Sequence, residues 1–137
     1  MRLLTLCVLL LPTAALAGTH EVRMLSRGER GPMVYEPDLL AIAPGDTVRF
    51  VAAQPGHNAA SIDGLAPAGF KGFKGGINEE IEITLTEPGI YGVRCSPHYA
   101  MGMVMLLAVG GADPKAAAIP DNVPKRAKAR LAEIMGR

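Results

Sequence analysis

Strand signals recur along this chain at short intervals, and that recurrence limits the fold more than any other feature. Glu21-Val22-Arg23-Met24-Leu25, Thr47-Val48-Arg49-Phe50-Val51 and Ile81-Glu82-Ile83-Thr84-Leu85 alternate polar and apolar side chains. Leu39 to Ala43 and Ile90-Tyr91-Gly92-Val93-Arg94 read as further strands, and Pro44-Gly45-Asp46 and Glu87-Pro88-Gly89 as turns between them. Val104 to Val109 is apolar without interruption, which predicts a last strand buried on both faces. Gly64 to Gly76, rich in glycine, proline and lysine, reads as a long surface loop. No helical pattern precedes residue 112, so the expected fold is mainly β, an antiparallel β-sandwich over about 18–111.

The C-terminal part, about 112–137, changes character. Asp113-Pro114 predicts the start of a helix running through Ala118. A second helix is expected over Pro124 to Met135, with Val123, Ala127, Leu131 and Ile134 spaced for one face. Two C-terminal α-helices thus complete the predicted domain.

The N-terminus reads as a cleavable export signal. Met1-Arg2 is a short basic start, Leu3 to Leu11 is apolar apart from Thr5, and Ala15-Leu16-Ala17 is a small-x-small cleavage site. The apolar run is too short to span a bilayer. Cleavage after Ala17 divides the chain into a signal, 1–17, and a single domain, 18–137. Cys7 lies inside the signal, so the mature chain keeps one cysteine, Cys95, and forms no internal disulfide. Losing Arg2 leaves 13 basic against 13 acidic residues. The basic excess falls in the tail, where Lys125-Arg126-Ala127-Lys128-Ala129-Arg130 fits the solvated face of a helix. Basic residues do not interleave with aromatics and tryptophan is absent, which argues against a nucleic-acid partner.

A lone thiol in an exported protein needs a use or a shield, and metal ligation provides both. Cys95, His98 and Met103 fall in the nine-residue run Cys95-Ser96-Pro97-His98-Tyr99-Ala100-Met101-Gly102-Met103, between two predicted strands. A second histidine, His57, stands upstream in Pro55-Gly56-His57-Asn58. One thiolate, two imidazoles and one thioether make the ligand set of a type 1 (blue) copper site. Such a set suits both Cu(I) and Cu(II), so electron transfer needs little rearrangement and no substrate pocket. Asn58 is placed to tie the His57 segment to the cysteine segment.

These motifs, taken along the chain, resemble the pseudoazurins, a cupredoxin family of the bacterial periplasm. Glu21 to Leu25, Pro32-Met33-Val34-Tyr35-Glu36-Pro37, Pro44 to Val48, Gly56-His57-Asn58, Lys74-Gly75-Gly76-Ile77-Asn78-Glu79 and His98 to Met103 carry the likeness. It implies a cupredoxin-like Greek-key β-sandwich with two C-terminal helices and one copper held by His57, Cys95, His98 and Met103. A related cupredoxin spacing would use Met101 instead; the pseudoazurin spacing of five residues after the histidine selects Met103. It further implies a periplasmic carrier of single electrons; a monomer is expected. The implied partners are periplasmic reductases, copper nitrite reductase among them and hence denitrification, met transiently through an apolar patch around His98. Pro97, Ala100, Met101 and Met33 would form that patch. Pro55 stands where many family members have lysine, leaving Arg27, Lys71, Lys74 and Arg94 as rim charges.

Plainer readings compete for each residue alone. A buried cysteine is often a small hydrophobe, and Met24 and Met105 are expected in the core. His20 is expected to be a solvated strand residue near the new N-terminus, with an adventitious metal site as its alternative. Tyr91 is expected to be a core ring with its hydroxyl bonded to a nearby loop. As whole-protein alternatives, a periplasmic copper carrier or buffer would use Met101 to Met105. A thiol enzyme would use Cys95 and His98 but lacks an evident group to orient the histidine. Zinc does not take methionine. The expectation is an electron carrier, not an enzyme.

Overall fold

The computed structural model describes residues 15–137. The basic start and the whole apolar run of the export signal lie outside the described residues. Among the described residues eight strands run in order: β1 (Thr19–Gly28), β2 (Gly31–Glu36), β3 (Leu39–Ile42), β4 (Thr47–Val51), β5 (Ala60–Ser61), β6 (Ile81–Thr84), β7 (Gly89–Arg94) and β8 (Val104–Val109). One α-helix, α1 (Lys125–Met135), follows, and 3-10 turns occupy Ser96–Met101 and Pro114–Ala116. The strands form two four-stranded sheets, ordered β2-β1-β4-β6 and β3-β8-β7-β5.

The sandwich is mixed, which corrects the antiparallel expectation. β1 runs parallel to β4, with Thr19 opposite Thr47 and Arg23 opposite Val51, and β3 runs parallel to β8. The other pairs are antiparallel. Alternation reports which face of a strand is buried, and it has the same period in either direction. Direction is decided by which strands become neighbours after the chain has crossed between sheets.

Alternate side chains of both sheets fill the interior. Val22, Met24, Val48, Phe50, Tyr91, Val93, Met105, Leu107 and Val109 are buried there with Cys95 and Met103. A second apolar cluster lies on the other side of β8, where Val104 and Leu106 meet Val123, Ala127, Leu131 and Ile134. All six residues of β8 are buried for this reason, as its unbroken apolar run predicts. The helix face predicted from spacing is the face that docks.

The first of the two expected C-terminal helices is a single 3-10 turn. Asp113 accepts from the Lys115 backbone N–H at 2.9 Å, and by Ala117 the backbone is extended (φ −63°, ψ 125°). The cap and the proline stand where the sequence puts them, but an alanine run offers little to bury, and helices this short are marginal without tertiary packing. Pro120 then blocks continuation. Among the described residues no helix is long and apolar enough to cross a membrane.

Candidate metal centre

β7 and β8 are adjacent antiparallel strands, so the chain between them must reverse within nine residues. Cys95 leaves β7 and stands ahead of the 3-10 turn, whose second residue is Pro97. Backbone bonds close the loop on itself. Cys95 N–H donates to Met103 O (3.0 Å), His98 N–H to Cys95 O (3.2 Å) and Met103 N–H to His98 O (3.2 Å). Gly102 ends the turn at φ +93°, where a Cβ would lie 3.2 Å from the Arg126 carbonyl of α1. Glycine therefore both permits the reversal and lets the helix dock against the loop.

His57 arrives from the segment after β4, at the opposite wall. Its backbone carbonyl accepts from Asn78 N–H (2.8 Å), and Asn78 Oδ1 accepts from Gly56 N–H (2.6 Å). Its ring is fully buried, with Nε2 2.8 Å from Ser26 Oγ on β1. That contact turns Nδ1 inward. His57 Nδ1 and His98 Nδ1 are 3.2 Å apart, and Cys95 Sγ lies 3.8 Å from the first and 3.4 Å from the second. The three ligand atoms all fall within 4.8 Å of one another.

Asn58 is the brace between the two walls, as expected. Its Oδ1 accepts from Ser96 N–H (2.7 Å), and its Nδ2 donates to Ser96 Oγ (3.1 Å) and to Gly75 O (3.0 Å). The buried Tyr35 hydroxyl donates to Asn58 O at 2.7 Å, fixing the brace from β2. Sequence reasoning missed Ser26, Tyr35 and Asn78 as supports. A serine on a strand and an asparagine in a loop carry no local mark of such roles.

The donor set fits one metal ion. With first-row metal bonds of about 2.0 Å to nitrogen and about 2.3 Å to sulfur, donors around a common centre lie about 3–4 Å apart. The three measured separations fall in that range. Burial favours one of the two candidate methionines as the fourth donor. Met103 is fully enclosed in the same cluster as Cys95, whereas Met101 is 46% exposed. Thiolate and thioether sulfurs with imidazoles select copper over harder ions.

The electrostatics resist leaving this cavity charged without a metal. Burial pushes the Cys95 thiol up, with hydrogen bonds from the Asn58 and His98 backbones working against it. Burial, and then the charge of His98, hold His57 below the usual imidazole range. A metal must displace the thiol proton and meets a neutral His57, so affinity rises with pH.

His98 differs from His57 in being half-buried, with exposed Pro97, Ala100 and Met101 beside it. Met33, half-buried at φ +53°, packs against the main core. Lys71 and Lys74 are exposed, but Arg94 is tied down, donating to Ser61 O (3.2 Å) and stacking 5.3 Å from the Tyr99 ring. Tyr91 donates its hydroxyl to Glu87 O at 2.7 Å, as predicted. His20 is hydrogen-bonded through Nε2 to Asp46 Oδ2 (2.7 Å) rather than simply solvated.

Comparison with known proteins gives a consistent result. The family model for copper binding proteins of the plastocyanin/azurin family matches residues 22–110. A pseudoazurin of Paracoccus pantotrophus is 43% identical over 132 residues, covering 93% of this chain and 91% of that protein. A solved pseudoazurin from Sinorhizobium is 40% identical with a TM-score of 0.81, covering 87% of this chain and 94% of that one. The solved pseudoazurin of Methylobacterium extorquens AM1 is 35% identical with a TM-score of 0.77, covering 86% and 97%.

Proposed function

Because the chain belongs to the plastocyanin/azurin family of copper-binding proteins, and within it to the pseudoazurins, we propose that it is a periplasmic blue copper protein donating single electrons to a reductase, with copper nitrite reductase the expected acceptor. The observation that carries this reading is the contrast around one donor cluster: Cys95, His57 and Met103 fully buried, His98 half-buried at an apolar surface. Copper bound there supplies a one-electron couple. The chain's own residues do the rest. The braced walls hold donor positions fixed, which keeps the geometric change on reduction small. The enclosed cavity keeps water from Cys95. The His98 edge brings a partner within short reach of the donors, and the exposed apolar rim of Pro97, Ala100 and Met101 desolvates readily.

Docking is brief, through an interface at the small end of the range, so that turnover is fast. Exposed Lys71 and Lys74 support an acidic partner surface. The export signal, with its cleavage site after Ala17, supports a periplasmic location, and the carrier acts there as a monomer in this reading.

Loading with Cu(II) and mixing the reduced protein with a copper nitrite reductase tests this. An intense blue band that is lost in Cys95→Ser, and rapid single-electron oxidation that slows as salt rises, are the expected results. A pale, tetragonal Cu(II) spectrum insensitive to Cys95→Ser would overturn the copper reading. A blue band with no transfer to the reductase would overturn the partner alone.

A further inference from the structure

Removal of the signal after Ala17 would do more than release the protein; it would create a new terminal sequence, Gly18-Thr19-His20. We propose that this terminus is a second metal site, independent of the buried one, that binds Cu(II) or Ni(II) in a square plane of four nitrogens. The inference rests on the cleavage position proposed above and not on the electron-carrier reading.

The donors would be the α-amine of Gly18, the amide nitrogens of Thr19 and His20, and His20 Nδ1. A histidine in third position closes two five-membered chelate rings and one six-membered ring on a single ion, and tetragonal nitrogen sets favour Cu(II) and Ni(II). Proline at the second or third position would remove an amide donor; neither Thr19 nor His20 is one.

The structure adds what sequence spacing lacks. Asp46, in the turn before β4, gathers both ends of the chelate on one carboxylate. Its Oδ1 accepts from Gly18 N–H at 2.8 Å, and its Oδ2 lies 2.7 Å from His20 Nε2. A Cβ built on Gly18 would stand 3.4 Å from that same His20 nitrogen, so the first and third residues are already close. The carboxylate takes Nε2 and leaves Nδ1, the nitrogen the chelate requires. A metal-bound imidazole commonly has its other nitrogen held by a carboxylate in this way. The His20 side chain is 33% exposed, enough for an ion to enter. Ala15, Leu16 and Ala17 are exposed and outside any strand, so the bond to be cut is accessible.

Binding releases three protons, one from the terminal ammonium and two from the amides, and the two amide anions balance the dication. Coordination competes with the first two rungs of the β1–β4 ladder, Thr19 opposite Thr47 and His20 opposite Val48, and with the bond from Thr47 N–H to Gly18 O (2.9 Å).

The test uses the full chain exported with its own signal. Intact mass identifies the terminus, one equivalent of copper fills the buried site, and Cu(II) or Ni(II) is then titrated. A second equivalent is expected, with a tetragonal EPR signal for Cu(II) beside the blue band, or a diamagnetic yellow species for Ni(II). It should vanish in His20→Ala and in a chain carrying one extra residue before Gly18, while the blue band reports that both remain folded. Asp46→Asn should weaken it about tenfold. A terminus other than Gly18, no second equivalent, or a second equivalent that survives the extra residue would each overturn the proposal. None of these would disturb the blue band, whose absence would instead count against the electron-carrier reading.

Discussion

β1 and β4 run side by side in the same direction, and each end of that pair carries a histidine whose Nε2 is held by oxygen. At the far end Ser26 Oγ holds His57; at the near end Asp46 holds His20. The far histidine is fully buried and meets donors from a loop some forty residues on. The near one is partly exposed and has its partners within its own first residues. Burial at the far end depresses His57, whereas at the near end hydrogen bonds from Gly18, His20 and Ala43 hold Asp46 below its usual range. One end specifies its metal by a rigid, dry cavity; the other relies on covalent proximity. The same local device, a held Nε2, serves opposite strategies.

The largest effect that would separate the two ends comes from deleting the rings. His57→Gly should abolish the blue band, and free imidazole should not restore it because the cavity is enclosed. His20→Gly should leave that band in place and remove only the second equivalent. Next, Asn58→Ala strips the brace from Ser96 and Gly75, leaving buried groups unpaired, and should lower stability by about 2–4 kcal/mol in urea unfolding. A loss confined to the loop, with unchanged unfolding, would show that the walls are not coupled through it. Ser26→Ala should cost about 1–2 kcal/mol and shift the blue band, since the neutral His57 ring loses its only anchor on β1.

The smallest effect is expected at the near end. Asp46 has a lowered pKa in the folded protein, so its contribution is fully present above the ordinary carboxylate range and is lost as pH falls through the lowered value. Thermal melts taken below about pH 5 should therefore fall less steeply for Asp46→Asn than for the parent chain. Equal slopes would place the acid sensitivity elsewhere.

The ligand loop was legible because its spacing is local: Cys95, His98 and Met103 are bound to converge once two flanking strands pair. The docking face of α1 was legible for the same reason, being written in a 3.6-residue period. Strand direction was not, since β1 finds β4 only after two other strands have been laid down. The turn at Pro114–Ala116 was overread because a cap and a proline announce a helix start without saying what will sustain it. Ser26 and Tyr35 were invisible for a third reason. Each acts through a single atom on a residue remote in sequence, at 2.8 Å and 2.7 Å, and no periodicity records that.

β8 is enclosed by β3 and β7 at its edges, the sandwich below and α1 above. Val-Met-Leu-Leu-Ala-Val, uncharged and free of proline, is also the kind of six-residue segment that stacks into cross-β fibrils when bared. α1 comes after β8 in the chain, so a chain ending ahead of α1 leaves the outer face of this strand bare. The cationic helix Lys125–Met135 covers that face, and chains clipped ahead of it should aggregate before they lose their copper-binding loop.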